Sequence, residues 1–464
     1  MGNMAKQSFK EKSTQKKLRA SYPWLLLLPL FVLACDQIDQ IQNNFRDLTP
    51  HEIYSESLSA AGLAETALGS EWAAVAATAL SEAPVVGLPF DEEGFLFAET
   101  PEARSYRVGL RRGQRLSIDI ALDDNEPARL FVDVYRIQAD TSLSPLPVLS
   151  SESTAEDLEY VSTRRADYVV RLQPELLRGG HYRISLRAGA SMAFPVQDRS
   201  TTAILSVFGD VRDGGRRQHR GVDIFAPRGT PVLSATRGRV SRVEDTPIGG
   251  KVVWVRDSEH PQSIYYAHLD SQVVRTGSIV EPGTLIGTVG NTGNARTTPP
   301  HLHFSVYQRR QGAIDPYYFV YQPPETLPDS SAPLDRLGSW TRTTNKGIRL
   351  RSGPSRRSTI LSELEEYTPL RVLAATGSWY RVRLPDGRKG FVSARLTEAA
   401  DLPIRSQIVA NASDMVSDPN LNAPVMELVK AGTGVSVLGT FDGFLYVQSP
   451  RGYTGWMPGD SGFK

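Results

Sequence analysis

The chain of 464 residues has a single cysteine, Cys35, and seven histidines. One cysteine excludes any intrachain disulfide, a cysteine-rich zinc finger and a CxxC redox pair. A charge of one sign is lacking as well. Against 51 Asp and Glu stand 52 Lys and Arg, for a formal net charge of +1, so the chain carries no global footprint of a nucleic-acid binder. Long apolar runs are missing too: the stretch from Trp24 to Ala34 is broken by Pro29 and falls well short of the roughly 20 residues that a membrane-spanning helix needs. What is present is a globular composition, 40% hydrophobic and 22% charged, which can bury sizeable cores. At about 100–200 residues per domain the length predicts three or four domains.

The basic residues Lys6, Lys10, Lys12, Lys16, Lys17 and Arg19 precede the apolar run, with Glu11 alone against them. A basic segment followed by a short apolar one is the layout of a secretory signal. The run ends Val32-Leu33-Ala34-Cys35, which resembles a bacterial lipoprotein signal. That resemblance implies a signal peptide over 1–34, lipidation at Cys35, and an exported protein anchored to a bacterial membrane and facing the periplasm or cell wall.

Residues 35–84 read as a polar tether and an Ala-rich helical stem, one or two helices opened by Pro50 and Glu52 and closed by Pro84. Over 85–192 the pattern changes to period two, as in Tyr106, Val108, Leu110 and again in Leu116, Ile118, Ile120. Short alternating strands between turns predict a β-sandwich. Ser105-Tyr-Arg-Val-Gly-Leu and Gly180-His-Tyr-Arg-Ile resemble the pre-peptidase sandwich domains beside secreted bacterial proteases. Residues 323–337, with Pro323, Pro324, Pro328 and Pro333, form a Pro/Ser linker stiff enough to act as a spacer.

The C-terminal third repeats itself. A shift of 65 residues superposes Pro354 on Pro419, Thr368 on Thr433, Val372-Leu373 on Val437-Leu438, and Gly387 and Gly390 on Gly452 and Gly455. One constant offset across turn and core positions marks a duplicated unit, strand-rich and of a size for a small barrel. The first copy, 338–398, carries Gly347-Ile-Arg-Leu-Arg-Ser-Gly-Pro and Trp379-Tyr-Arg-Val, and resembles bacterial SH3-like domains, which commonly hold cell-wall peptide or glycan. The second, 403–464, has Met415-Val-Ser-Asp-Pro in place of the Arg-Ser-Gly-Pro turn and is divergent. The predicted class is therefore mainly β and multidomain: a β-sandwich, a β-rich domain over 200–322, two small SH3-like barrels and a short helical stem.

The chemistry concentrates between 219 and 303, where five of the seven histidines fall. His51, His181 and His260 read as ordinary solvent-facing residues. Four others have specific contexts: His219-Arg-Gly-Val-Asp223, Tyr266-Ala-His268-Leu, and Pro300-His301-Leu-His303-Phe. Glycine and proline around 219–231 disfavour a helix, so His219, Gly221 and Asp223 are predicted on extended chain with a shared face and room for an ion at Gly221. His301 and His303 share a face in the same way, with Leu302, Phe304 and Val306 opposite. Three N/O ligands and a position open to water is the pattern of a catalytic zinc site. The glycines from Gly287 to Gly293 read either as a backbone surface for an extended peptide or as a plain hairpin turn.

Residues 204–320 resemble the LytM/lysostaphin-type zinc metallopeptidases, carrying Val207-Phe-Gly-Asp-Val-Arg212, Tyr265-Tyr-Ala-His268-Leu and Gly287-Thr-Val-Gly-Asn-Thr-Gly293 in that family's order. The resemblance implies one Zn2+ per chain held by His219, Asp223 and His303, with His301 and His268 as the catalytic pair. It implies a peptidoglycan endopeptidase in which zinc-bound water attacks the amide, His301 moves the proton and His268 stabilises the oxyanion. The substrate expected is a peptide cross-link, D-alanyl–diaminopimelate in a Gram-negative envelope or a Gly-rich bridge otherwise, with peptidoglycan and a membrane as partners and no nucleic acid. The alternative is a non-enzymatic regulator that binds peptidoglycan or activates a wall amidase; the complete ligand set speaks against it.

Overall fold

The computed structural model describes residues 48–123, 128–152, 155–323 and 330–459. The signal segment and Cys35 lie outside these residues, as do 36–47 of the tether and 324–329 of the proline-rich linker. The described chain is mainly β, as the alternating patterns predict.

The sandwich has two antiparallel sheets. One runs through Phe90–Leu96, Gly180–Ala190, Gln114–Asp123 and Ala155–Val161; the other through Arg104–Leu110, Ala166–Pro174, Leu130–Arg136 and Leu149–Glu152. Between them lie Tyr106, Val108, Leu116, Ile118, Val132 and Val134, the period-two positions whose burial removes apolar surface from water.

The Ala-rich segment forms two helices, Pro50–Ala60 and Ala67–Ser81, docked on the sandwich rather than standing off it as a stem. Trp72 is 2% exposed and packs with Tyr54, Leu58 and Phe131. Its indole donates to Pro174 O at 2.9 Å, and the Leu176 N–H donates to the Tyr54 hydroxyl at 3.0 Å. The apolar face made by Tyr54, Leu58, Trp72 and Ala76 has to be covered by a partner, which the sandwich supplies. His51 is accordingly not solvent-facing. It stacks on Trp72 at 4.7 Å between ring centroids and donates to Gln173 Oε1 at 2.8 Å.

Six strands of the first barrel recur 65 residues later: Trp340–Thr343, Ile348–Arg351, Ile360–Leu364, Pro369–Thr376, Trp379–Arg383 and Lys389–Ser393 reappear as Arg405–Ile408, Ser413–Val416, Val425–Val429, Gly434–Phe441, Phe444–Gln448 and Thr454–Pro458. The left-handed turn residues recur with them, Tyr367 (φ 61°) matching Gly432 (φ 82°) and Gly387 (φ 87°) matching Gly452 (φ 88°). The first barrel does not hang on a free spacer. Pro369–Thr376 pairs with Phe90–Leu96 of the sandwich, Glu93 opposite Ala375 and Gly94 opposite Ala374, so that one sheet runs through both domains. The end of the linker lies on the barrel as well: Ala332 is 5% exposed, and Tyr380 Oη donates to Pro333 O at 2.7 Å.

The intervening domain is a sheet ordered Ile279–Val280, Gly238–Thr246, Gly250–Asp257, Gln262–Gln272, His301–Gln308, Val222–Phe225 and Ile204–Ser206, every pair antiparallel. Its buried face carries Val253, Val255, Ile264, Tyr266, Leu302, Phe304 and Val306. Alternation then sends His301, His303, Ser305 and Tyr307 to the opposite face.

Candidate metal centre

Strand register assembles the centre. In the pairing of Val222–Phe225 with His301–Gln308, Asp223 stands opposite His303 and Phe225 opposite His301. On the other side Ala267 stands opposite His303, which brings the next residue, His268, to the same rim. His219 belongs to no strand, lying between Arg217–Gln218 and Val222–Phe225. The chain through 219–223 is thus only partly extended, and His219 is held instead by backbone bonds to Asp210 O and from Gly209 N, each 2.8 Å. Nor does Gly221 leave room for an ion. A Cβ there would lie 2.4 Å from Phe304 O and from Ser305 Oγ, so the missing side chain lets the segment close against the His301 strand.

His219, Asp223 and His303 present one ligand atom each within 4.8 Å of one another. His219 Nε2 and His303 Nδ1 each lie 3.0 Å from Asp223 Oδ1, and 2.9 Å from each other. Metal–nitrogen bonds of about 2.0–2.1 Å set tetrahedral donors roughly 3.3 Å apart, so a small outward adjustment admits a zinc ion. Carbonyl acceptors fix the tautomers, because a carbonyl can only accept. His219 Nδ1 donates to Val207 O at 2.9 Å, His268 Nδ1 to Thr292 O at 2.9 Å, and His301 Nδ1 to Pro299 O at 2.8 Å. In each neutral ring the lone pair sits on Nε2, and His219 Nε2 and His301 Nε2 face Asp223 at 3.0 and 3.9 Å. Lone pairs converging on one carboxylate oxygen, in a pocket where His219 and Asp223 are each 6% exposed, call for a cation at their centre. His181 and His260 stand apart from this cluster, paired instead with Glu93 and Asp257.

The electrostatics of the site agree. Burial alone pushes the Asp223 carboxyl up, but the His219 and His303 imidazoles against it hold it well below the usual carboxylate range. Burial, reinforced by the charges of His303 and His301, pushes the His268 imidazole down to about 4. Burial also lowers His303, against the pull of Asp223. His268 adopts φ 61°, left-handed for a non-glycine residue, the kind of backbone strain that collects at functional sites. Its ring lies 5.1 Å from that of His301 between centroids.

Two further groups complete the site. Arg212 Nη2 donates to Asp223 Oδ2 at 2.8 Å and also to the Ser206 hydroxyl. The Ser305 hydroxyl meets His303 Nε2 at 2.9 Å. Arg212 closes the motif that begins at Val207, and period two from His303 puts Ser305 on the same face, so both were within reach of the sequence. The glycines between Gly287 and Gly293 serve packing. A Cβ on Gly290 would meet Asp270 N at 2.5 Å, and one on Gly293 would meet Gly250 N at 2.3 Å, so the loop lies tight against the strand of His268 and its neighbour.

Residues 217–316 match Peptidase family M23, and residues 346–398 match Bacterial SH3 domain. An L-Ala--D-Glu endopeptidase of Bacillus subtilis is 40% identical over 136 residues, 27% of this chain and 41% of its own length. The peptidoglycan DD-endopeptidase ShyC of Vibrio cholerae is 41% identical over 91 residues, 20% of each chain. The uncharacterized lipoprotein YgeR of Escherichia coli is 39% identical over 114 residues, 24% of this chain and 41% of its own. The match thus spans between a fifth and about two fifths of each relative's length.

Proposed function

With a peptidase family M23 domain at 217–316 followed by a bacterial SH3 domain at 346–398, we propose that this chain is a zinc-dependent endopeptidase that hydrolyses peptide cross-links of bacterial peptidoglycan. The observation that carries the reading is the convergence of His219 Nε2, Asp223 Oδ1 and His303 Nδ1 at 2.9–3.0 Å. These three residues would hold the metal. A bound zinc ion supplies Lewis acidity and an activated water near neutral pH.

The remaining steps belong to the protein. His301 keeps its Nδ1 proton on Pro299 O, so Nε2 accepts the proton of the attacking water and returns it to the leaving amine. His268 is read as the group that stabilises the developing oxyanion; as a neutral ring it would donate from Nε2 once its Nδ1 bond to Thr292 O is released for the other tautomer. Ser305 and Arg212 hold His303 and Asp223 in place. The bond cleaved is read as D-alanyl–diaminopimelate. Export and lipidation at Cys35 complete the reading, supported by the basic and apolar N-terminal segments and by one relative named a lipoprotein. Among the described residues no helix is long and apolar enough to cross a membrane.

The test incubates zinc-loaded protein with purified sacculi and reads the muropeptides by mass spectrometry, beside His303→Ala. Loss of cross-linked dimers with the wild type alone is the expected result. Dimers left intact by a protein that binds one zinc per chain would favour the regulator.

A further inference from the structure

The open face of the catalytic sheet carries a row of side chains immediately beside the metal centre. Arg242, Trp254, Tyr265 and Ser305 stand directly opposite one another across four adjacent strands, Arg242 facing Trp254, Trp254 facing Tyr265, and Tyr265 facing Ser305. The next row toward the centre is Ala267 opposite His303 and Asp223, one two-residue step or roughly 7 Å away. Tyr307 joins from the following position on the same face. Trp254 lies 4.4 Å from Tyr265 and 5.0 Å from Tyr307 between ring centroids, and Tyr265 lies 6.1 Å from His303. All three aromatic rings are half-buried.

Aromatic rings on the outside of a sheet have no core to fill, since the core positions of these strands are Val253, Val255, Ile264, Tyr266 and Val306. The platform is also stiff. The Tyr265 hydroxyl sits where a Cβ on Gly249 would come within 2.1 Å of it, so the glycine admits the ring's far end. Arg242 lies over Trp254 at 4.8 Å, with its side chain 61% exposed.

We propose that Trp254, Tyr265 and Tyr307 form a saccharide subsite that receives a sugar ring of the glycan strand carrying the peptide under cleavage. The proposal rests on the peptidoglycan reading above and adds where the glycan lies. A pyranose offers C–H groups to aromatic faces and hydroxyls to flanking polar groups, which is the chemistry that this row presents. The spacing suits it. Tyr307 stands four residues from His303, roughly 13 Å along the strand, about the reach of a stem peptide of four residues from the bond cut at the metal.

The experiment compares the full chain with Trp254→Ala and Trp254→Phe on two substrates, a cross-linked muropeptide dimer bearing its sugars and the same dimer with the sugars removed. For Trp254→Ala the subsite requires KM on the sugar-bearing dimer to rise about tenfold, kcat to stay within about twofold, and kcat/KM on the sugar-free dimer to stay as in the wild type; Trp254→Phe restores most of the loss. Equal loss on both substrates, or no change on either, overturns it. Should the wild type cleave neither, the function reading fails by itself, and calorimetric titration with peptide-free glycan strands decides the subsite. A tenfold weaker affinity for Trp254→Ala then supports it, and an unchanged affinity overturns it.

Discussion

Glu92 of the sandwich and Arg381 of the first barrel meet in a buried ion pair, Arg381 Nε donating to Glu92 Oε2 at 3.1 Å, with side chains 0% and 10% exposed. Tyr106 and Tyr182 donate to the other oxygen at 2.7 and 2.6 Å. Burial first, and the Glu92 charge second, pushes both phenols up, which keeps them protonated as donors. Removing one member strands the other in a dry interior. Glu92→Ala should therefore lower the unfolding free energy by about 3–5 kcal/mol, and Glu92→Ala with Arg381→Met by less. Urea denaturation of both variants checks this, and equal losses would contradict it.

Gly221 predicts a steric coupling between fold and site. In Gly221→Ala the added carbon meets Phe304 O and Ser305 Oγ at 2.4 Å, so the segment bearing Asp223 must move. Overpacking of this kind costs about 1–3 kcal/mol. Zinc affinity should fall along with stability. A variant with wild-type affinity and midpoint would show that the backbone yields freely here.

At the proposed metal centre Arg212 would act through Asp223, to which it donates. Arg212→Ala should weaken zinc binding by about 10–100-fold, the usual scale for losing such a supporting bond. Arg212→Lys, a point charge without the planar fork, should recover only part of it. Chelator competition measures this without any substrate, and an affinity equal to the wild type's would remove Arg212 from the site.

His51 gives the docked helices a pH dependence. Burial, and then the Arg171 charge, lowers its pKa from the ordinary 6.5, while Gln173, Asp133 and Glu52 pull the other way. A depressed histidine favours the folded state in its neutral form. Its contribution is complete above about pH 6.5 and is lost as pH falls through the lowered folded value. The drop in urea midpoint between pH 7.5 and 5.5 should be larger for the wild type than for His51→Gln. Equal drops would place the ring in water after all.

The readable parts of this molecule are those with local periodicity. Alternation around His301 and His303 puts two imidazoles on one face and Leu302, Phe304 and Val306 on the other, and the strand keeps that division. The 65-residue offset reappears strand for strand. What stays hidden depends on partners distant in the chain. Nothing near Ala374 and Ala375 says that their edge will pair with Gly94 and Glu93, and nothing near His51 names Trp72 as its stacking partner. Gly221 is legible as a small residue but not in its purpose, because the atoms that exclude a side chain belong to another strand.

The shared sheet also imposes an order in time. The strand Phe90–Leu96 finds one neighbour in Gly180–Ala190 and the other only in Pro369–Thr376, about 280 residues further on. Until then its N–H and C=O groups are open to any other extended chain. The whole domain that carries the candidate metal centre must be made, and kept from tangling, inside a loop that only the barrel can close. Folding of this protein is thus a question of which strand arrives first, and its aggregation hazard is greatest before the last third exists.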